Sequence, residues 1–162
     1  MKVWQYLVGG IAVIGLAVQF VPNELPAVEA NNPDDLIGSG IVSEEISGIL
    51  KTSCYDCHSN ETKYPWYSHV APVSWLVSKD VREAREELNF STWQAYDMME
   101  KLEKLDDIAI EVKEGEMPLG IYTVIHSSAK LDDAQRQLIV EWAEATMDVV
   151  VEEEEGTEEE VE

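Results

Sequence analysis

The chain has 162 residues and a formal net charge of −22, with 33 acidic side chains against 11 basic ones. That length suits one small domain with appendages. That charge excludes a nucleic-acid binder and argues against attachment to anionic lipid through the surface of the body. An apolar share of 45% with five tryptophans is enough for a compact core.

Lys2 precedes an apolar run from Val3 to Val21, interrupted only by Gln5, Gln19 and small glycines. The run is close to the ~20 residues that span a bilayer. The positive-inside tendency keeps Lys2 in the cytoplasm and sends everything after Val21 outside it. A cleaved signal peptide is the rival reading. Val28-Glu29-Ala30 is a poor match to the Ala-x-Ala cleavage pattern, so residues 1–22 read as a retained anchor. The expected location is the inner membrane of a cell, with the domain facing the periplasm.

Residues 23–42 carry Pro26, Pro33, an Asn-Asn pair and two glycines with little periodicity, and read as a tether. The domain is expected over 43–150. Ser43 before Glu44, Glu45 and Ile46 looks like a helix N-cap with acids in the first turn, and Ile46 and Leu50 share a face. Residues 60–73 should be irregular and apolar. Helices are predicted over Ser74–Leu88, over a long stretch starting after Ser91 and running to Gly115, and over Leu131–Val150. Trp93, Tyr96, Met99, Leu102, Leu105 and Ile108 form the apolar pattern of the second of these, and Leu138, Ile139, Trp142 and Ala145 that of the third. No stretch alternates with period two, so the fold class is all-α. Residues 151–162 read as a disordered acidic tail. Eight glutamates lie between Glu152 and Glu162, and removing them from −22 leaves −14 on the rest.

The five residues Cys54-Tyr55-Asp56-Cys57-His58 carry the chemistry. Cys-x-x-Cys-His is the attachment run of c-type haem. Two thiols at this spacing each reach one vinyl group of the porphyrin, and the histidine after them reaches iron from the proximal side. The motif uses both cysteines of the chain. The implied cofactor is one covalent haem c, made outside the cytoplasm.

With His58 on one side of the iron, the other side decides between electron transfer and ligand binding. Met117 stands in Gly115-Glu116-Met117-Pro118-Leu119-Gly120, where glycines permit close approach and Pro118 turns Met117 from helical geometry. It is the leading distal ligand. His126 is a second candidate, as ligand, propionate partner or cap. His69, close to His58 in sequence, and Met98 and Met99, at core spacing in a helix, are weaker candidates. Tyr64, Trp66, Tyr67 and His126 are candidate walls of the haem pocket, and Trp66, Trp75 and Trp93 offer large apolar surfaces.

Cys54 to Leu76, the stretch Glu87-Leu88-Asn89-Phe90-Ser91 and the run Glu114 to His126 resemble the bacterial haem-binding domain family, small exported monohaem proteins related to c-type cytochromes. The resemblance covers about residues 43–145. It implies thioether attachment through Cys54 and Cys57, proximal ligation by His58 and distal ligation by Met117. The acidic tail lies outside that pattern.

The function expected is a membrane-anchored, cytochrome c-like electron carrier rather than an enzyme. Its partner would be a redox protein with a cationic docking face. The alternative is a haem sensor or small peroxidase-like enzyme with a labile distal ligand. A thioredoxin-like dithiol lacks its βαβ setting, and zinc lacks enough ligands at fixed spacing.

Overall fold

The computed structural model describes residues 2–159, with side chains described from Val3 to Glu152. Seven α-helices and five short 3-10 turns make up its regular structure, and no strand occurs among the described residues. The chain is all-α, as the absence of period-two alternation predicts.

Helix α1 (Lys2–Ala17) runs into a 3-10 turn (Val18–Phe20). The 18 residues Val3–Phe20 have a mean hydropathy of 1.6 and are not buried, which makes the segment long and apolar enough to cross a membrane. Helix α2 (Glu44–Ser53) starts at Ser43, whose hydroxyl accepts the Ile46 N–H at 3.3 Å. Such a cap contributes about 1 kcal/mol. Its face at positions 46, 49, 50 and 53 is buried. Helix α3 (Tyr55–His58) follows with one residue between.

Helix α4 (Val73–Glu87) buries Ser74, Ser78 and Val81, a narrow small-residue seam that lets neighbouring backbone approach. Helix α5 (Met98–Glu114) starts later than the sequence pattern predicts. Asp97 accepts the Glu100 N–H at 2.8 Å and Glu100 accepts the Asp97 N–H at 2.9 Å, a reciprocal capping box. Trp93 and Tyr96 therefore belong to and follow the separate 3-10 turn Phe90–Ala95, not the helical stripe. A short helix α6 (Gly120–Ile125) leads to α7 (Asp133–Glu159). The long pair α5 and α7 packs side by side, with Leu105, Ile108, Ala109 and Val112 meeting Ile139, Ala143 and Val150 in one core.

Two sequence expectations change. Residues 23–42 are not a free tether. Ser78 Oγ and Arg82 both donate to the Glu24 carbonyl, Arg85 to that of Ala27, and the Tyr64 hydroxyl to that of Pro26. The Glu29 N–H reaches the Asn60 carbonyl at 2.8 Å, the Leu36 N–H reaches Phe90 at 2.9 Å, and Leu36 is fully buried. The segment is a strap laid over α4 and α3. Its few periodic residues hide this because its carbonyls, not its side chains, make most of the joints.

Residues 151–159 continue α7 as helix, where disorder was predicted. Glutamate is a good helix former, and extending an existing helix needs no new nucleus. Residues 160–162, and the side chains beyond Glu152, lie outside the described residues.

Candidate functional site

Cys54 ends α2 and opens α3 with φ −123° and ψ −40°, and its N–H bonds the Leu50 carbonyl at 2.8 Å. The kink turns the next four residues into a new helical turn, closed by the His58 N–H on the Cys54 carbonyl at 2.9 Å. Both thiols are free. Burial, reinforced by Cys57, pushes the Cys54 thiol up to about 12, and burial, reinforced by Asp56 and Asp80, pushes Cys57 up to about 11. These are protonated thiols at neutral pH, the reverse of the acidified cysteine a dithiol oxidoreductase uses.

The His58 ring is half-buried, and its Nδ1 lies 3.1 Å from the Leu88 carbonyl oxygen. A carbonyl only accepts, so Nδ1 carries the proton. In the neutral ring this leaves the Nε2 lone pair free as a metal ligand, the arrangement that orients ligating histidines. Burial pushes the imidazole pKa down, against the Leu88 and Ala84 carbonyls, which favours that neutral form.

The carbonyl is itself held in place. Leu88 is the extended residue ending α4, and the next N–H, of Asn89, bonds the Tyr96 hydroxyl at 2.9 Å. Asn89 caps the following turn by accepting the Ser91 N–H, and Ser91 Oγ accepts the Asn60 N–H just past the motif. Phe90 stacks on Tyr55 at 5.2 Å between ring centroids and tilts against His58 at 6.2 Å. The stretch Glu87–Ser91 is thus the frame of His58.

Met117 follows α5 through a Schellman turn. Gly115 takes φ +83°, and the Glu116 and Met117 N–H groups both bond the Glu111 carbonyl, at 3.0 and 3.1 Å. Arg136 of α7 donates to the Val112 carbonyl at 2.8 Å and to the Met117 carbonyl at 3.4 Å. The thioether is thereby presented from a turn held at its N–H and its carbonyl.

His58, Met117 and Cys54 line one cavity of about 380 Å³, within the range of small-molecule sites. Leu50, Phe90, Ile108, Val112, Leu131 and Ile139 make its walls apolar. Glu87, Asp107 and Glu111 reach it, and so does Lys104. An apolar chamber with an imidazole nitrogen, a thioether and a thiol on its lining fits a haem: the walls suit the macrocycle, and the donors suit iron and a vinyl group.

Cys57 lines a separate void of about 60 Å³, together with Tyr64, Tyr67 and His126. There the Tyr67 hydroxyl and His126 Nε2 are hydrogen-bonded, Tyr122 stacks on His126 at 4.3 Å, and Tyr122 donates to Asp56 at 2.8 Å. Three of the four side chains read as pocket walls are therefore gathered near the motif but apart from the cavity of His58 and Met117. The fourth, Trp66, is 78% exposed and lines neither space. Trp93 is core and Trp75 half-buried. His69 is exposed beside residues 19–25, Met98 packs in the core and Met99 is exposed, so none of these lines the cavity.

Sequence reasoning assigned no role to the Leu88 carbonyl, Phe90 or Arg136, although Leu88 and Phe90 lie in the stretch Glu87–Ser91 that carries the resemblance. A main-chain acceptor has no residue signature, and the arginine that holds the Met117 turn is a single charge on an otherwise ordinary helix.

The family model for the haem-binding domain matches residues 13–145, which takes in both cysteines, His58, Met117 and all the cavity walls. No curated protein and no solved structure matches the chain.

Proposed function

The chain belongs to the haem-binding domain family, and from that premise we propose that it is a membrane-anchored monohaem c-type cytochrome that carries single electrons outside the cytoplasm. The observation that carries this reading is the shared cavity: His58 with its Nε2 free, Met117 on a braced turn and Cys54 at the lining. When bound, the haem supplies a one-electron iron couple, and a His/Met ligand pair raises its potential relative to two histidines.

The residues divide the work. Cys54 and Cys57 would hold the haem, each thiol forming a thioether to one vinyl group with its proton passing to the neighbouring carbon, so that no co-reactant would be consumed. Cys57 must turn from its separate void to take part. Leu88 keeps the His58 ring in register, and Arg136 and Gly115 hold Met117 for the opposite side. With His58 and Met117 both holding the iron, no coordination site would be left for a substrate, which favours a carrier over an enzyme. Tyr67 and His126, the side chains a sensor or peroxidase would want in a distal pocket, are bonded to each other elsewhere.

Glu87, Asp107 and Glu111 ring the cavity in an acidic body, which suits a redox partner with a cationic face. The apolar segment Val3–Phe20 supports a retained anchor in the inner membrane, with the domain on the periplasmic side.

Intact-chain mass tests the attachment. Full-length protein exported with c-type haem maturation should gain the mass of one haem that resists acid–organic extraction, and Cys54→Ala with Cys57→Ala should abolish it. Extractable haem in the parent chain would sink the covalent reading.

A further inference from the structure

Gln19 lies in the last turn of the apolar segment Val3–Phe20. Its side-chain amide is joined twice to Ala71: Nε2 donates to the Ala71 carbonyl at 3.0 Å, and Oε1 accepts the Ala71 N–H at 3.0 Å. Four residues on, Asn23 Nδ2 donates to the Ser74 carbonyl at 3.0 Å. At about 1.5 Å of rise per residue, 18 residues cover about 27 Å, close to the ~30 Å hydrocarbon core of a bilayer. A segment that fills that core places Gln19 at its boundary, and the double joint brings the loop before α4 to the same level.

That loop has an unusual composition for this chain. From Tyr64 to Ser78 there is no Asp, Glu, Lys or Arg, and from Met117 to Ala129 there is none either. With 33 acidic residues in 162, those 28 positions would hold about six acids at the chain's own density. The fold brings the two stretches together: Tyr67 of the first bonds His126 of the second, and the two rings meet edge-on at 6.2 Å. The half-buried Asp56 and Asp80 are the acids that line the void between the two stretches, Asp56 accepting the Tyr122 hydroxyl. Large apolar side chains stand out from both. Trp66 is 78% exposed and Val124 82%, with Val70, Val73, Ile121 and Ile125 also exposed.

We propose that this acid-poor face rests on the bilayer surface beside the anchor, so that the domain lies against the membrane and is not suspended from it. The proposal rests on the reading of Val3–Phe20 as a retained anchor. Tryptophan and tyrosine favour the headgroup level, where an apolar ring and a polar tip are both satisfied. A body of charge −14 outside the tail is repelled by anionic headgroups, and this face, whose two stretches carry no acid of their own, approaches them with the least repulsion. Lipid is favoured over a protein occupant because Gln19 and Asn23 make the face continuous with the end of the membrane segment.

The test is photolabelling of the full-length, haem-loaded chain in phosphatidylcholine vesicles doped with a diazirine-bearing phosphatidylcholine, with adducts mapped by peptide mass spectrometry. Adducts are expected on residues 3–20, 64–76 and 119–126. The double substitution Trp66→Glu with Val124→Glu, at two exposed positions, should abolish labelling of 64–76 and 119–126. It should leave labelling of 3–20 and the haem spectrum unchanged. Adducts on 3–20 alone would overturn the proposal and leave the anchor standing. No adducts on 3–20 would remove the anchor reading and the proposal with it. Cross-links from 64–76 or 119–126 to another protein in native membranes, without lipid adducts there, would assign the face to a protein partner and overturn the proposal.

Discussion

The Nδ1 atom of His58 donates to the carbonyl of Leu88 across 3.1 Å, joining the Cys-x-x-Cys-His turn to the end of α4. The residue two places on, Phe90, is 1% exposed and lies against both Tyr55 and His58. Phe90→Ala should therefore leave a cavity beside the ring and cost about 3–5 kcal/mol of stability. Urea unfolding of the haem-loaded protein measures this. A cost below about 1 kcal/mol would mean that Phe90 does not frame the site.

Leu36 distinguishes a strap from a tether. It is fully exposed on a free linker and fully buried here, between the turn it begins and Phe90. Leu36→Ala should cost about 2–5 kcal/mol, against near zero for a residue on a linker. Thermal or urea midpoints of the parent and variant decide it.

The linker reading of 23–42 shows what the sequence hides. Hydrophobic period and caps were legible in part. Ser43, the buried face of α2, and Leu102, Leu105, Ile108, Leu138, Ile139 and Trp142 of the α5–α7 core stand where side-chain pattern puts them. Met99 and Ala145, by contrast, are exposed, and Trp93 and Tyr96 precede α5. The candidate site residues were legible as candidates for the same reason, because Cys-x-x-Cys-His and a methionine before proline are side-chain signatures. The strap is held instead through its own carbonyls by Ser78, Arg82 and Arg85, which read as ordinary helix positions, and by Tyr64, which reads as a pocket wall. The Leu88 carbonyl was hidden for the same reason. Asp97 was legible in principle, since Asp-x-x-Glu is a capping-box pattern, but the aromatic residues before it masked the start of α5.

Asp80 gives a pH dependence. Burial, with Glu83 adding and Lys79 opposing, raises its carboxyl above the ordinary carboxylate range. A carboxyl that holds its proton more tightly when folded lowers stability once it ionises, and that cost is absent below the ordinary value of about 3.9. Asp80→Asn should raise the urea midpoint at about pH 7 and change it little at about pH 3. A midpoint at pH 7 equal to or below the parent's would contradict the sign.

The acidic cavity rim predicts a preference among small oxidants. The reduced protein should pass its electron faster to tris(phenanthroline)cobalt(III), a cation, than to ferricyanide, an anion, and the gap should close between about 0.01 and 1 M salt. Asp107→Lys, at the exposed rim, should narrow the gap at low salt. Rates for both reagents that ignore ionic strength would remove the electrostatic part of the account.

In the proposed carrier His58 and Met117 hold one iron between them. The most direct test is the optical spectrum of the oxidised, full-length protein and of Met117→Ala. Ligation by both residues predicts a sulfur-to-iron charge-transfer band in the parent that disappears in the variant, together with carbon monoxide uptake by the reduced variant but not by the reduced parent. A parent without the band that takes up carbon monoxide readily would contradict it, leaving Met117 as packing in the turn that Arg136 holds.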